Sequence, residues 1–203
     1  MKLAATTLLV TLLSVESADT YKLKTRTRNY EKRDLQMGGK GTTSCYQNIY
    51  GCVEANGVQE MPPLNTTLVS ELDFAIMNSF SEFSYTMYLS GIVNTVFAAH
   101  LHCGAAGTNG PIALPIWPPI TANTTMQNVT MDGVVVQTTI TAADYSLYFN
   151  ETGLPDCRDA TGNSITVNNL VSLYTAMKMD LIYLNVHTFV NKPGEARGQV
   201  FLN

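Results

Sequence analysis

Three histidines stand in this chain of 203 residues: His100, His102 and His187. Neutral imidazole is the commonest side-chain ligand for a transition metal, so their spacing is the first thing to read. Two of them form a His-x-His pair. On a β-strand, residues i and i+2 project from the same face, so His100 and His102 share one face while Leu101 and Cys103 point the other way. If a neighbouring strand supplies His187, three nitrogens converge and leave a coordination position open. That donor set suits copper or catalytic zinc, and copper is the stronger expectation, for binding the metal or for redox chemistry on it. Glu60, Glu195 and Arg197 are the charged groups expected around the imidazoles, with either glutamate as a hydrogen-bond partner. The competing assignment is architectural. Strand histidines often bond to a carboxylate or a backbone carbonyl, and a His–Glu–Arg cluster can simply fix a fold.

Other chemistries find little support. There is no G-x-S-x-G elbow, no H-E-x-x-H and no C-x-x-C pair. Cys103 adjoins His102, but adjacent strand residues face opposite ways, so the two cannot work as a thiol–imidazole pair. Gly104-Ala105-Ala106-Gly107 lacks the lysine of a phosphate-binding loop and reads as a tight turn needing positive φ. Trp117, among Pro115, Pro118 and Pro119, is either an exposed contact for sugar or protein or an anchor in the core. A noncatalytic protein is the expectation.

The elements that must hold these residues are short strands. Residues 68–76, 83–89, 95–102, 112–117, 133–140, 181–187 and 198–202 are β-type runs separated by Gly, Pro and Asn. In the second run Phe83, Tyr85, Met87 and Leu89 line one face. Thr141-Ala142-Ala143-Asp144 resembles a capping box opening a helix to about Phe149, and 167–179 carries Leu170, Leu173, Tyr174 and Met177 at helical spacing. The fold class is all-β: an antiparallel β-sandwich or flattened Greek-key barrel with one or two short crossover helices.

Compartment is read from the N-terminus and the cysteines. Met1-Lys2, an apolar run from Leu3 to Val15 and small residues at Val15 and Ser17 make residues 1–18 an expected signal peptide, too short to span a bilayer. Residues 19–56 read as a basic, partly flexible lead-in; Tyr21 to Arg33 holds six of the twelve Lys and Arg. Four cysteines suit an oxidising compartment, with Cys45–Cys52 as a local loop and Cys103–Cys157 as a long-range staple. Sequons begin at Asn65, Asn123, Asn128 and Asn150, each an expected exposed glycosylation site. No further run is apolar enough for a membrane span. The net charge of -4 argues against a nucleic-acid partner.

Three stretches carry a family resemblance. Val58-Gln59-Glu60-Met61-Pro62-Pro63 looks like a glutamate-then-proline opening. Residues 98–111, Ala98-Ala99-His100-Leu101-His102-Cys103-Gly104 through Gly110-Pro111, are similar to an A-H-x-H-x-G-x-x-G-x-x-G-P signature. Asn185-Val186-His187-Thr188 followed by Gly194-Glu195-Ala196-Arg197-Gly198-Gln199 matches N-V-H-T…G-E-x-R-G-Q. Together they resemble the CHRD (chordin-type) domain over residues 57–203. That resemblance implies a β-rich, extracellular or cell-surface module without an established activity; the chordin manner of growth-factor antagonism is not implied, since the cysteine-rich modules of chordin are missing. The His-x-His strand, a later histidine and a C-terminal arginine are also similar to the copper site of copper–zinc superoxide dismutases, which implies Arg197 as an attractor of anions, with one departure: there is no fourth histidine to bridge to zinc. The leading expectation is a secreted binding or matrix module with an extracellular protein or carbohydrate partner. A histidine-ligated copper or zinc protein is the alternative.

Overall fold

A computed structural model describes residues 49–120 and 128–202. Eleven strands and two helices follow one another: β1 (Ile49–Asn56), β2 (Val69–Ile76), β3 (Glu82–Ser90), β4 (Val96–Cys103), β5 (Ile112–Trp117), β6 (Gly133–Thr141), α1 (Ala142–Thr152), β7 (Asp156–Arg158), β8 (Ser164–Thr166), α2 (Leu170–Lys178), β9 (Ile182–Thr188), β10 (Ala196–Gln199) and β11 (Phe201–Leu202). The main sheet runs β5-β4-β9-β10-β1-β2-β3-β6, with β11 also on β1, and its pairings are antiparallel. A hairpin of β7 and β8 stands apart. The sheet folds over on itself as a sandwich. The buried Tyr85 hydroxyl of β3 donates to the Ile116 carbonyl of β5 (2.9 Å), and Tyr145 of α1 reaches Ala113 in the same way (2.9 Å).

Period-2 burial explains why these runs are strands. Phe83, Tyr85, Met87 and Leu89 face inward at 0–3% exposure, as their alternation predicts. Leu72, Phe74 and Ile76 of β2, and Leu101 between the two strand histidines, complete that core. The helix starts follow their capping residues. Thr141 accepts from the Asp144 amide while the Asp144 carboxylate accepts from the Thr141 amide, so α1 opens where expected and continues past Phe149 to Thr152. Asn169 and Ser172 form the same reciprocal pair at the start of α2, placing Leu170, Leu173, Ala176 and Met177 in the core.

Three details depart from the sequence reading, and a fourth decides between two readings left open there. Strand β1 precedes residue 57 and lies mid-sheet, between β2 and β10. Its Tyr50, Glu54 and Asn56 dilute the apolar alternation that the sequence pattern relies on. The short β7–β8 hairpin carries too few apolar residues to register as strands. The run from 198 to 202 is two strands, β10 and β11, divided at Val200. Trp117 is 9% exposed and packs in the core, so it is an anchor and offers no exposed contact. Residues 1–48 lie outside the described region, and with them the expected signal peptide, Cys45 and all of the basic lead-in except its last eight residues, which form β1. Among the described residues, no helix is long and apolar enough to cross a membrane.

Candidate metal centre

Strands β4 and β9 are direct neighbours, with His100 opposite Asn185, His102 opposite Tyr183 and Ala98 opposite His187. One face of this pair is core: Ala99, Leu101, Cys103, Ile182, Leu184 and Val186 are buried at 0–1% exposure. The other face is polar and carries the three histidines, Tyr183 and Asn185. That face would ordinarily meet water. Here it is largely covered: β9 is buried along its whole length, while His100 and His102 of β4 are half-buried. The covers are the segment from Gly57 to Thr67, the loop from Gly104 to Pro111, and the loop from Phe189 to Glu195.

The three imidazole rings form a compact triangle. Ring centroids are 4.9 Å apart for His100 and His187, 5.5 Å for His100 and His102, and 5.6 Å for His102 and His187. Taking one ligand nitrogen from each ring, all three lie within 4.8 Å of one another. A point therefore exists within about 2.8 Å of all three, so the rings would have to close by several tenths of an ångström to reach the 2.0–2.1 Å typical of zinc–imidazole bonds.

Hydrogen bonds orient two of the rings. His102 Nδ1 bonds to the Gly110 carbonyl at 3.0 Å, and His187 Nδ1 to the Lys192 carbonyl at 2.9 Å. A carbonyl only accepts, so each Nδ1 carries the proton and each Nε2 keeps its lone pair. Those Nε2 atoms, and Nδ1 of His100, are buried without a hydrogen-bond partner. One orphaned nitrogen per ring is costly in a fold that binds nothing there, because an unpaired buried polar atom costs about 1–3 kcal/mol. Fixing the outer nitrogen on a carbonyl while the inner one faces a common point is the usual device by which proteins orient metal-ligating histidines.

Burial also keeps the rings neutral. The pKa of His100 is pulled down to about 3, first by burial and then by the neighbouring His187 and His102. Burial lowers His102 to about 4; the Gly110 carbonyl opposes this, and His187 and Arg197 reinforce it. Burial lowers His187 as well, against the pull of the Lys192 carbonyl. Neutral rings are the ligating form, so protons compete weakly with a metal above about pH 5. The sign for stability follows. Unfolded histidines take up protons near pH 6.5 and the folded ones do not, so acid favours unfolding of the metal-free protein. Between pH 7.5 and 5.5 the metal-free domain is expected to lose about 1 kcal/mol for each of His100 and His102, with His187 adding in the same direction, read by urea melts, and His100→Gln should flatten the slope. A stability that is level across this range contradicts the burial of the three rings.

Tyr183 and Arg197 extend the polar face. The Tyr183 ring stacks on His102 (5.2 Å, 15° between planes), and the guanidinium of Arg197 lies over the tyrosine at 3.5 Å. Arg197 is 2% exposed. Its Nη1 donates to Asn109 Oδ1 (2.9 Å), and its Nη2 donates to the carbonyls of Thr108 (2.7 Å) and Ala105 (3.2 Å). The guanidinium is thus spent on closing the 104–111 loop. It is too deeply covered to attract anions from solution, which corrects the expectation drawn from the sequence. The same loop supplies the Gly110 carbonyl to His102 and the Gly110 amide to the Tyr183 hydroxyl (3.2 Å). A side chain at Gly110 would stand 1.8 Å from the Cys103 carbonyl, so only glycine lets the loop press this close.

The glutamates are placed differently from expectation, and neither caps a histidine in the hydrogen bonds described. Glu60 follows a 3-10 turn, Gly57–Gln59, and is 5% exposed. Burial raises its pKa against the opposing Met61 amide and Arg197 charge. Its Oε1 and the Oδ1 of Asn185 are both unpartnered and crowd the same spot beside Gly194, where a Cβ would come within 2.3–2.6 Å of them. Glu195 turns the other way, onto Thr66, Asn94, Thr188 and Asn191. The imidazole partners are backbone carbonyls, which carry no residue-type signal. Tyr183 and Asn185 were missed in the sequence, although their i, i+2, i+4 alternation with His187 puts them on its face.

On the opposite face Cys103 forms a disulfide with Cys157, tying the end of β4 to β7. It is the expected long-range staple. The Cys45–Cys52 pairing lies outside the described residues because Cys45 does.

The family model for the CHRD domain matches residues 53–200, nearly all of the described chain. The chain belongs to the CHRD-domain family. No curated protein and no solved structure matches it. The match places both histidine motifs inside the CHRD domain and starts within β1, ahead of residue 57. Membership is consistent with an extracellular-type module and leaves the chemistry of the three histidines to the geometry above.

Proposed function

We propose that this CHRD-domain protein is secreted and that its working site is a mononuclear three-histidine centre, for copper ahead of zinc. The observation that carries the reading is the close triangle of imidazoles, one nitrogen of each ring within 4.8 Å of the others, together with one buried, unpartnered nitrogen on every ring. Copper is favoured because imidazole nitrogens bind Cu(II) more tightly than Zn(II) in the Irving–Williams order. No carboxylate belongs to the ligand group, so a general base for zinc-type hydrolysis is not provided by those residues. Secretion is supported by the signal-like run of residues 1–18, by the disulfide and by the sequons, of which Asn65 and Asn128 are exposed.

Loading the protein with one equivalent of Cu(II) tests this by electron paramagnetic resonance. The expected spectrum is that of a single site with nitrogen superhyperfine coupling, and His187→Gln should weaken binding by at least about 100-fold, as loss of one of three ligands implies. A spectrum of several adventitious sites, unchanged by His187→Gln, contradicts the reading. The second reading, a noncatalytic binding or matrix module with an extracellular protein or carbohydrate partner, is favoured by family membership. It is compatible with a metal that serves only to hold the covering loops in place.

A further inference from the structure

A second surface has the chemistry of a sugar seat. A cleft of about 400 Å³, open to solvent, is lined by Leu64, Asn65, Val93, Asn94, Asn191 and Glu195, among others. Its floor is built. Glu195 is 1% exposed, and its carboxylate accepts from the hydroxyls of Thr66 (2.7 Å) and Thr188 (2.5 Å) and from Nδ2 of Asn94 and of Asn191 (3.1 Å each). These bonds hold the amide nitrogens of both asparagines on the carboxylate, and their side-chain carbonyl oxygens accept no hydrogen bond among the described residues. The cleft therefore presents pre-set acceptors beside an apolar wall of Leu64 and Val93, the latter 69% exposed. Its one lining charge is already saturated with donors.

Oriented amide carbonyls next to an aliphatic patch fit an acetamido sugar. The sugar N–H can donate to an asparagine carbonyl while its methyl packs on Val93. Charged ligands gain nothing from such a lining. The rim supplies the attachment point, since Asn65 is exposed and opens the sequon Asn65-Thr66-Thr67. We infer that the cleft seats the first N-acetylhexosamine of an N-linked glycan on Asn65. The donor is a lipid-diphosphate oligosaccharide of the secretory pathway. The amide nitrogen of Asn65 replaces the diphosphate at the sugar C1 and loses one proton, and the lipid diphosphate leaves. This inference rests on secretion and is independent of the metal reading.

The test uses the full chain from a eukaryotic secretory host, with glycopeptide mass spectrometry at Asn65 and timed release by an amidase specific for N-glycans. In native protein the Asn65 glycan should be released about tenfold more slowly than after denaturation, a protection set by how seldom the seat opens. Val93→Arg, at an exposed position, should abolish most of that protection and leave the metal content unchanged. An independent reading needs no variant: a 13C-labelled acetamido methyl should show nuclear Overhauser contacts to the Val93 methyls. An unmodified Asn65, release as fast in native as in denatured protein, or missing methyl contacts would each overturn the inference. Uptake of free N,N′-diacetylchitobiose by an Asn65→Gln variant, with fast release in the parent, would assign the cleft to an external saccharide and overturn the tethered form.

Discussion

Arg197→Met is expected to destabilise the domain by about 3–5 kcal/mol and to weaken metal binding about 10–100-fold. The first figure is the cost of leaving three acceptors of the covering loop without their charged donor, about 1–3 kcal/mol each before the loop relaxes. Arg197 is almost fully covered, and Glu60, also buried, loses the positive charge that favours its ionised form. The carbonyls of Ala105 and Thr108 and the side chain of Asn109 lose their donor at the same time. The second figure follows from what the loop does. It delivers the Gly110 carbonyl to His102 Nδ1, and that bond keeps the Nε2 lone pair available. Outer-shell changes of this kind typically cost one to two orders of magnitude in metal affinity. Arg197→Lys should recover part of the stability but little of the affinity, because one ammonium cannot reproduce the fork of bonds to three acceptors. Denaturant melts and competition with a chelator of known affinity read the two quantities separately. Copper affinity unchanged in both variants would show that the loop does not position His102.

Replacing the disulfide as Cys103→Ser/Cys157→Ser is expected to cost about 4 kcal/mol, since a closed loop of this length removes that much unfolded-state entropy in the chain-entropy model. The two cysteines are 54 residues apart, and both are buried, at 1% and 0% exposure. In a domain of this size the midpoint of thermal unfolding should fall by roughly 10 °C. Cys103 directly follows His102, and its amide donates to the Pro111 carbonyl at the far end of the covering loop. Loss of the staple should therefore also loosen the loop and weaken metal binding. A fall in the midpoint of only a degree or two would mean that the core of α1, α2 and β9 holds this corner unaided.

Residues with a strong periodic or capping signal were legible, and backbone-mediated features were not. The alternation of Phe83, Tyr85, Met87 and Leu89 and the Thr141–Asp144 pair each announced their element, because side-chain type alone determines burial and capping there. Strand β1 was hidden because Gly51, Glu54 and Asn56 interrupt its pattern, although it sits mid-sheet. At the site, His-x-His revealed a shared face, and the third histidine came from an antiparallel pairing that motif order suggested but could not set in register. Arg197 was visible as a charge. Its role was not, because whether a guanidinium meets solvent or a loop depends on how the 104–111 segment folds back. Glu195 misled for a similar reason. Its neighbour in sequence, Arg197, points onto the histidine face, while Glu195 itself precedes β10 and turns into the loops.

The most direct test of the central claim is metal analysis of the secreted protein, purified without chelators and without a histidine tag, beside His100→Ala/His102→Ala. About one copper per chain in the parent, and none in a variant shown by circular dichroism to be folded, is the predicted result for a three-histidine centre. A parent that carries no metal and takes up neither copper nor zinc on titration would contradict the claim, leaving the three orphaned nitrogens as a buried cost of the CHRD fold.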